Sequence, residues 1–163
     1  MTSPSTFKFC PHCASPLDNF FDAELTRGKC PSCDWIHYRN PTVGVAVVLV
    51  EDEQLLIGRR QDGGLYIPCG HVEWNESIED AARREFEEET GLQIALSGVI
   101  AVKSNFHSPE HQTVGVWYQG RREGGELCPG GDLSGVGFVH FASVPPLKFP
   151  TDNEVVRMLR SAT

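Results

Sequence analysis

The chain has 163 residues, a length that suits one compact domain with a small appendage. Its hydrophobic content of 40% and charged content of 22% are ordinary for a soluble protein. The net charge of −8 is uneven, because residues 1–40 are neutral whereas residues 73–89 hold eight acidic and two basic side chains. No basic stripe of the kind that attracts nucleic-acid backbones is present, so nucleic acid is not an expected partner.

The start of the chain lacks the apolar core of a signal peptide, and no apolar run reaches membrane-spanning length. We therefore expect a cytoplasmic protein with no membrane partner.

Two Cys-x-x-Cys pairs stand near the start of the chain, namely Cys10 with Cys13 and Cys30 with Cys33. Each pair makes a tight turn that presents two thiolates, and four thiolates complete the tetrahedral shell of zinc. A complete shell leaves no place for water, so this zinc would be structural. It would supply much of the folding free energy of a zinc ribbon over residues 1–38, which cannot bury enough apolar surface alone.

Alternative roles for these cysteines fit less well. Disulfides would need an oxidising compartment, and a thioredoxin-type redox pair would leave the second Cys-x-x-Cys unexplained. His12 or His37 could replace one cysteine, but four thiolates already stand at suitable intervals, so both are expected on the surface or beside the ligands. Cys69 and Cys128 lack such spacing and are interpreted as small buried residues or idle thiols.

Strands follow the cysteine-rich region. Residues 43–50 form a near-continuous apolar run and predict a central strand buried on both faces. Residues 54–60 return as a second strand that ends in Arg59 and Arg60. Exposed arginines on a strand are more often plain surface. A short strand over residues 65–68 comes next.

A capped helix is predicted after this strand. Ser77 suits the N-cap with Asp80 three residues on, and Gly91 suits the left-handed position after the last turn. Placed at about 100° per residue, the apolar side of the helix continues into three carboxylates, those of Glu85, Glu88 and Glu89.

Three carboxylates spaced i, i+3, i+4 repel one another, and partly buried carboxylates need a cation or a proton. A hard divalent ion with oxygen ligands satisfies them, and Mg²⁺ or Mn²⁺ fits best. Arg84 lies beside Glu85 and one turn before Glu88, so it could hold both in position. The alternative is a solvated acidic helix face, which is the usual meaning of a charge run.

The residues around the three glutamates favour the metal site. Gly70 is followed by Glu76 and then by Arg84-Glu85-Phe86-x-Glu88-Glu89-x-Gly91-Leu92, which matches every fixed position of the Nudix box. The chain therefore resembles the Nudix hydrolases, and the zinc module ahead of the box resembles the NADH/ADP-ribose pyrophosphatase branch of that family.

The resemblance implies an α/β fold, a Nudix-type α/β/α sandwich over residues 39–163 behind the small N-terminal zinc ribbon. It implies a hydrolase that depends on Mg²⁺ or Mn²⁺ and cleaves a diphosphate, usually within a nucleotide. The metal ligands would be the Gly70 carbonyl and the carboxylates of Glu85, Glu88 and Glu89. Glu88 is the first choice for the general base, and Arg84 would orient the carboxylates. Glu76 would support the junction of loop and helix or an outer metal-bound water. Arg59 and Arg60 are candidate phosphate contacts.

The elements after the box are predicted from pattern alone. Strands are expected over residues 93–103, 113–122 and 136–142, with Trp117 and Tyr118 on opposite faces of the second. A loop is expected over residues 104–112 and another over residues 123–131. A last helix over residues 151–160 would be capped by Thr151 or Asp152.

Many family members add an acidic ligand from a loop beyond the box. The candidates here are Asp132, Glu110 and Glu126. Phe106 is a candidate for stacking on a substrate base, whereas core packing is expected for Trp117.

The substrate is only coarsely indicated. The Ser-Gln-Pro-Trp-Pro-Phe-Pro run of NADH pyrophosphatases is missing, and residues 104–109 read Ser-Asn-Phe-His-Ser-Pro instead. Pro109 favours ADP-ribose slightly over NADH or FAD. A non-catalytic nucleotide sensor, a zinc-ribbon binding module and a hydrolase of RNA caps stay open as alternatives. Family members often pair, so a homodimer is also an expectation.

Overall fold

The computed structural model describes residues 7–106, 108 and 111–162. It divides into two compact units, Met1–Asn40 and Pro41–Thr163. Neither of the two α-helices in the described part of the chain is long and apolar enough to cross a membrane.

The smaller unit is built from two similar turns and a three-stranded antiparallel sheet. In each turn an amide donates back to the first cysteine of a pair, Ala14 N to Cys10 O at 2.9 Å and Asp34 N to Cys30 O at 3.0 Å. Ala14 and Asp34 both have a φ of 59°. The strands are β1 (Asp18–Asp22), β2 (Leu25–Lys29) and β3 (Ile36–His37). The sequence reading did not foresee these strands, which lie between and after the two cysteine pairs.

The larger unit contains one mixed sheet of seven strands. Five of them run in the order β10-β5-β4-β9-β8, while β6 pairs with β5 and β7 pairs with β4. Strands β4 and β9 are parallel, and the other pairs are antiparallel. The strands are β4 (Thr42–Glu51), β5 (Gln54–Arg60), β6 (Leu65–Tyr66), β7 (Cys69–His71), β8 (Leu92–Asn105), β9 (Thr113–Gly125) and β10 (Leu133–His140).

Two helices complete this unit, α1 (Ile78–Thr90) and α2 (Pro150–Ala162). Alternate residues of β4 serve two separate cores, because successive side chains of a strand point to opposite faces. The first core joins α1 to one face of the sheet, and the second joins α2 to the other. The first includes Val45, Val47, Ala82 and Phe86, and the second includes Ala46, Val48, Val155 and Val156. This arrangement is the predicted α/β/α sandwich.

The predicted caps of α1 are confirmed. The side chain of Ser77 accepts a hydrogen bond from Asp80 N at 3.1 Å, and Gly91 adopts the left-handed conformation with φ 71°. Trp117 and Tyr118 belong to opposite cores, as strand alternation predicts.

The predicted cap of α2 is wrong. The helix begins at Pro150, so Thr151 and Asp152 lie in its first turn. Asp152 does not cap the helix because its carboxylate is used elsewhere: it accepts hydrogen bonds from Ile67 N at 3.2 Å and from Trp117 Nε1 at 3.0 Å.

Candidate active site

The four cysteines of the smaller unit converge on one point. Their sulfur atoms all lie within 4.8 Å of one another, and three of the pairs are 3.4–3.7 Å apart. Tetrahedral zinc with bonds of about 2.3 Å requires sulfur atoms about 3.8 Å apart, so the cluster fits the ion. Cys10 and Cys30 are buried, whereas Cys13 and Cys33 are exposed.

In the larger unit, Gly70 and Glu85 lie next to each other, and both line the candidate site. Gly70 lies in β7, which pairs with β4, and Glu85 projects from α1. A Cβ atom at Gly70 would overlap the Glu85 carboxylate. With Glu85 in this position, only glycine lets the backbone of β7 pass this close to the carboxylate.

Gly70→Ala should lower kcat/KM for the diphosphate substrate by about 10²-fold, because the new methyl group must displace Glu85 and a misplacement of about 1 Å is enough for a loss of that size. The control is Gly137→Ala, since a Cβ there meets no atom within 4 Å. Steady-state kinetics on both variants check the prediction, which would be contradicted if the two kept equal activity.

Arg84 ties the loop before α1 to the carboxylates of the helix. Its Nε and Nη2 bind the two oxygens of Glu76 at 2.7 and 2.8 Å, and Nη2 also donates to His71 O at 3.1 Å. Its Nη1 lies 2.9 Å from Glu85 Oε1 and 3.3 Å from Glu88 Oε2. Hydrogen bonds with Arg84 lower the pKa of Glu76 to about 2. Arg84 therefore contacts Glu85 and Glu88 within the helix and Glu76 in the loop before it.

Glu89 is the buried member of the three glutamates, with 5% of its surface exposed. Its Oε2 accepts a hydrogen bond from Cys69 N at 2.8 Å. Burial raises its pKa to about 8. A carboxylate buried this deeply is costly without a cation, whereas Glu88 is largely exposed.

Glu89→Gln should stabilise the metal-free protein more at high pH than at low pH. Between the ordinary pKa of 4.5 and the raised pKa of about 8, the folded state keeps a proton that the unfolded chain has lost. The free energy of unfolding of the wild type therefore falls as pH rises through this window, by up to about 5 kcal/mol. Melting temperatures are measured in EDTA from pH 5 to 8.5. The melting temperature of Glu89→Gln should exceed that of the wild type by an amount that increases as the pH rises.

The exposed Glu87 is the matched control, since Glu87→Gln should show no such widening. If the difference in melting temperature between Glu89→Gln and the wild type did not change with pH, Glu89 would not be a buried carboxyl group with a raised pKa.

A cavity of about 290 Å³ collects the carboxylates. Its lining includes Glu73, Glu85, Glu88, Glu89, Asp132 and Arg60. Glu73 was not singled out from the sequence, although it lies within the box. Among the described residues, only the four cysteines bring three or more metal-ligating atoms all within 4.8 Å, so the carboxylates are more widely spaced.

A second cavity of about 410 Å³ adjoins the first. Arg60, Cys69, Gly70 and His71 line both, and the walls of the second include Trp117, Phe149 and Asp152. Asp152 is 1% exposed, and burial raises its pKa to about 7.

The structure separates the remaining candidates. Arg60 lines both cavities, whereas Arg59 is exposed and lines neither. Asp132 lines the carboxylate cavity, but Glu126 does not, and Glu110 lies outside the described residues together with Pro109 and His107. Phe106 is 69% exposed and is not part of the lining of either cavity. Trp117 is buried in the core, as predicted.

The donors of the carboxylate cavity fit a hard divalent cation. Most of these donors are carboxylate oxygens, and the backbone carbonyl of Gly70 is a further oxygen donor. Because Gly70 has no side chain, β7 can pass close to Glu85. The donors of the cysteine cluster fit zinc. The chain thus offers two kinds of metal site: a closed site of four soft thiolate ligands and an open site of hard oxygen ligands.

Comparisons with known families agree with both sites. The family described as NUDIX domain matches residues 39–159, and the family described as Nudix N-terminal zinc ribbon matches residues 8–39. Among solved structures, a NUDIX hydrolase from Nitrosomonas europaea superposes with a TM-score of 0.83 at 24% identity, over 93% of this chain and 89% of that one.

Two curated relatives carry names of activities. The ADP-ribose pyrophosphatase of Methanocaldococcus jannaschii is 28% identical over 128 residues, 76% of each protein. The NAD-capped RNA hydrolase NudC of Chromobacterium violaceum is 26% identical over 147 residues, 88% of this chain. The chain spans only 54% of the length of that second relative.

The sandwich of two helices around a mixed sheet, with carboxylates projecting from the first helix into an open cavity, defines a hydrolase of phosphoric anhydrides. The chain belongs to the Nudix family, and its Nudix domain is preceded by the zinc ribbon of that family.

Proposed function

We propose that the protein is a Mg²⁺- or Mn²⁺-dependent pyrophosphohydrolase that cleaves the diphosphate of a nucleoside diphosphate derivative of the ADP-ribose, NADH or FAD type. The observation that carries this proposal is the cavity lined by five carboxylates, of Glu73, Glu85, Glu88, Glu89 and Asp132, beside a second cavity that shares Arg60 with it. The first cavity suits cations and a diphosphate, and the second is large enough for the group attached to that diphosphate.

The residues divide the work as follows. Glu85, Glu88, Glu89 and the Gly70 carbonyl would hold the divalent cation, with Asp132 as the additional acidic ligand. When bound, such ions neutralise phosphate charge and lower the pKa of an attacking water. Glu88 is the proposed general base because it combines exposure with a place in the cavity.

The two arginines serve different ends in this proposal. Arg84 keeps the carboxylates in position through its ion pairs with Glu85 and Glu88. Arg60 contacts the substrate phosphates, because it lies where the two cavities meet.

The choice of substrate is supported by the printed activities of the relatives, ADP-ribose pyrophosphatase and NAD-capped RNA hydrolase. Both names refer to a diphosphate that joins an adenosine to a second moiety. The proposal also includes zinc in a ribbon over residues 1–38, a Nudix domain over residues 39–163, a cytoplasmic location that keeps the thiols reduced, and a homodimer in solution.

A substrate panel tests the proposal. ADP-ribose, NADH, FAD and an NAD-capped RNA are incubated with the protein and Mg²⁺ or Mn²⁺, and AMP, or the 5′-monophosphorylated RNA, is measured. Release from ADP-ribose or NADH is expected. Tight binding with intact nucleotide recovered would instead indicate a sensor, and cleavage of capped RNA alone would indicate the cap hydrolase.

Asp132→Asn should raise the Mn²⁺ concentration needed for half-maximal activity by about tenfold or more, because the cavity loses an anionic ligand. The control is Glu126→Gln, whose exposed side chain lies outside the cavity lining. Equal metal requirement in the two variants would remove Asp132 from the ligand set.

A further inference from the structure

The charges around the carboxylate cavity are compensated in two separate groups. Arg84 is engaged with Glu76, Glu85 and Glu88 on one side. On the other side, Arg60 faces two further acidic groups, with Nε 3.1 Å from Asp132 Oδ2 and Nη2 4.0 Å from Glu89 Oε1. Arg60 is thus the counter-ion of Asp132 and the cation beside Glu89, and Arg84 contacts neither of these two groups.

The contacts of Arg60 are looser than those of Arg84. Arg84 makes a forked pair with Glu76 at 2.7 and 2.8 Å. The Nε of Arg60 is buried, yet it has no hydrogen-bond partner among the described residues, although Asp132 is near. Charge attraction without aligned hydrogen bonds is the weaker form of such a pair. The carboxylates can therefore be separated from Arg60 without breaking a well-formed fork.

The guanidinium has a second support that does not depend on the carboxylates. Its Cζ lies 4.5 Å from the centre of the Tyr66 ring. Tyr66 is 3% exposed and packs edge-on against Phe149, with ring centres 4.8 Å apart. A planar guanidinium can turn or shift over a fixed ring while keeping this contact. Tyr66 would therefore retain Arg60 near the junction of the two cavities after its carboxylates are lost.

A divalent cation and Arg60 need the same oxygen atoms. If Glu89 and Asp132 coordinate a cation, the doubly charged ion replaces the guanidinium as their partner, and two cations cannot share that space without strong repulsion. Arg60 lines the adjoining cavity as well, so a small displacement aims its donors at the position where an anionic substrate would enter.

We propose that Arg60 is an exchangeable counter-ion. In the metal-free protein it pairs with Asp132 and lies beside Glu89, and when these two groups take up Mg²⁺ or Mn²⁺ its guanidinium is released to bind the substrate diphosphate. This inference rests on the proposed metal site, and it predicts that metal binds before substrate, because the phosphate-binding cation becomes available only after the exchange.

The first test measures Mn²⁺ binding by calorimetry on the full chain without nucleotide. Arg60→Gln should bind Mn²⁺ about fivefold or more tightly than the wild type, because the competing cation is gone. Arg59→Gln, which removes an equal charge from the adjacent exposed residue, should stay within about twofold of the wild type. With Mn²⁺ saturating, Arg60→Gln should raise KM for the cleaved nucleotide at least tenfold.

The second test uses the wild-type protein and so does not depend on a variant that folds. The ¹⁵Nε–¹Hε signal of Arg60, assigned by side-chain correlation in the wild type, should shift on titration with Mg²⁺ at the same midpoint as the metal binding. If the signal keeps its position while metal binds, the environment of the Arg60 Nε has not changed. That result overturns the exchange, because the exchange requires the guanidinium to leave Asp132.

The remaining outcomes are also decisive. Equal or weaker Mn²⁺ binding by Arg60→Gln overturns the exchange while leaving the proposed metal site intact. Absence of Mn²⁺ and Mg²⁺ binding by every protein, with and without ADP-ribose, overturns both the exchange and the proposed function.

Discussion

Glu88→Gln should reduce kcat by 10²- to 10⁴-fold, the range expected when a general base is lost. The melting temperature of the metal-free protein should change by no more than about 2 °C, because Glu88 is exposed and its ion pair with Arg84 is a single contact at 3.3 Å. Single-turnover kinetics with saturating Mn²⁺ make the measurement, so that chemistry is separated from product release.

The neighbouring Glu87 provides a close control. It carries the same charge on the same helix, is exposed and accepts a hydrogen bond from Gln93 Nε2 at 2.9 Å. Glu87→Gln should keep wild-type turnover. Wild-type turnover in Glu88→Gln would eliminate Glu88 as both base and essential ligand, and a loss that excess Mn²⁺ restores would assign it to metal binding alone.

Cys30→Ser should abolish the folded state of the smaller unit. The sulfur of Cys30 is fully buried within the cluster, and a structural zinc contributes about 10–16 kcal/mol of apparent binding free energy in small zinc modules. Elemental analysis should find one zinc per wild-type chain and much less in the variant. Proteolysis should then cut within residues 7–40 while the Nudix domain stays protected.

Cys128→Ser is the matched substitution outside the cluster, since Cys128 is an exposed free thiol. It should retain one zinc per chain and the wild-type pattern of proteolysis. A Cys30→Ser variant with full zinc content and a protected N-terminal unit would show that the four cysteines do not act as one structural site.

The parts of the fold that could be predicted are those with local causes. The helix α1 was delimited by Ser77 and Gly91, because capping depends on the side chain and backbone of the residue itself. The opposite faces of Trp117 and Tyr118 followed from the geometry of any strand. The short strands of the ribbon were missed, because their order depends on the cysteine cluster rather than on a pattern of apolar residues.

Choices between neighbouring residues could not be made from the sequence. Alternation places Arg59 and Arg60 on opposite faces of β5, but it does not say which face holds the cavities. Asp132 and Glu126 are both acidic residues of the loop after β9. The path of that loop, which the sequence does not reveal, places Asp132 at the cavity and Glu126 outside it. Asp152 looked like a cap, yet its partners Ile67 and Trp117 are distant in sequence, and only the assembled sheet brings the three together.

Strand β4 contributes to both cores of the Nudix domain, and this has a consequence for how such enzymes diversify. Its alternate side chains support helix α1, which carries the three glutamates, on one face and α2 on the other. Trp117, Phe149 and Asp152, which line the larger cavity, stand on the α2 side or beside it. Mutations there can reshape what the enzyme accepts while the catalytic half is inherited unaltered, so a lineage can acquire new substrates without reinventing its chemistry.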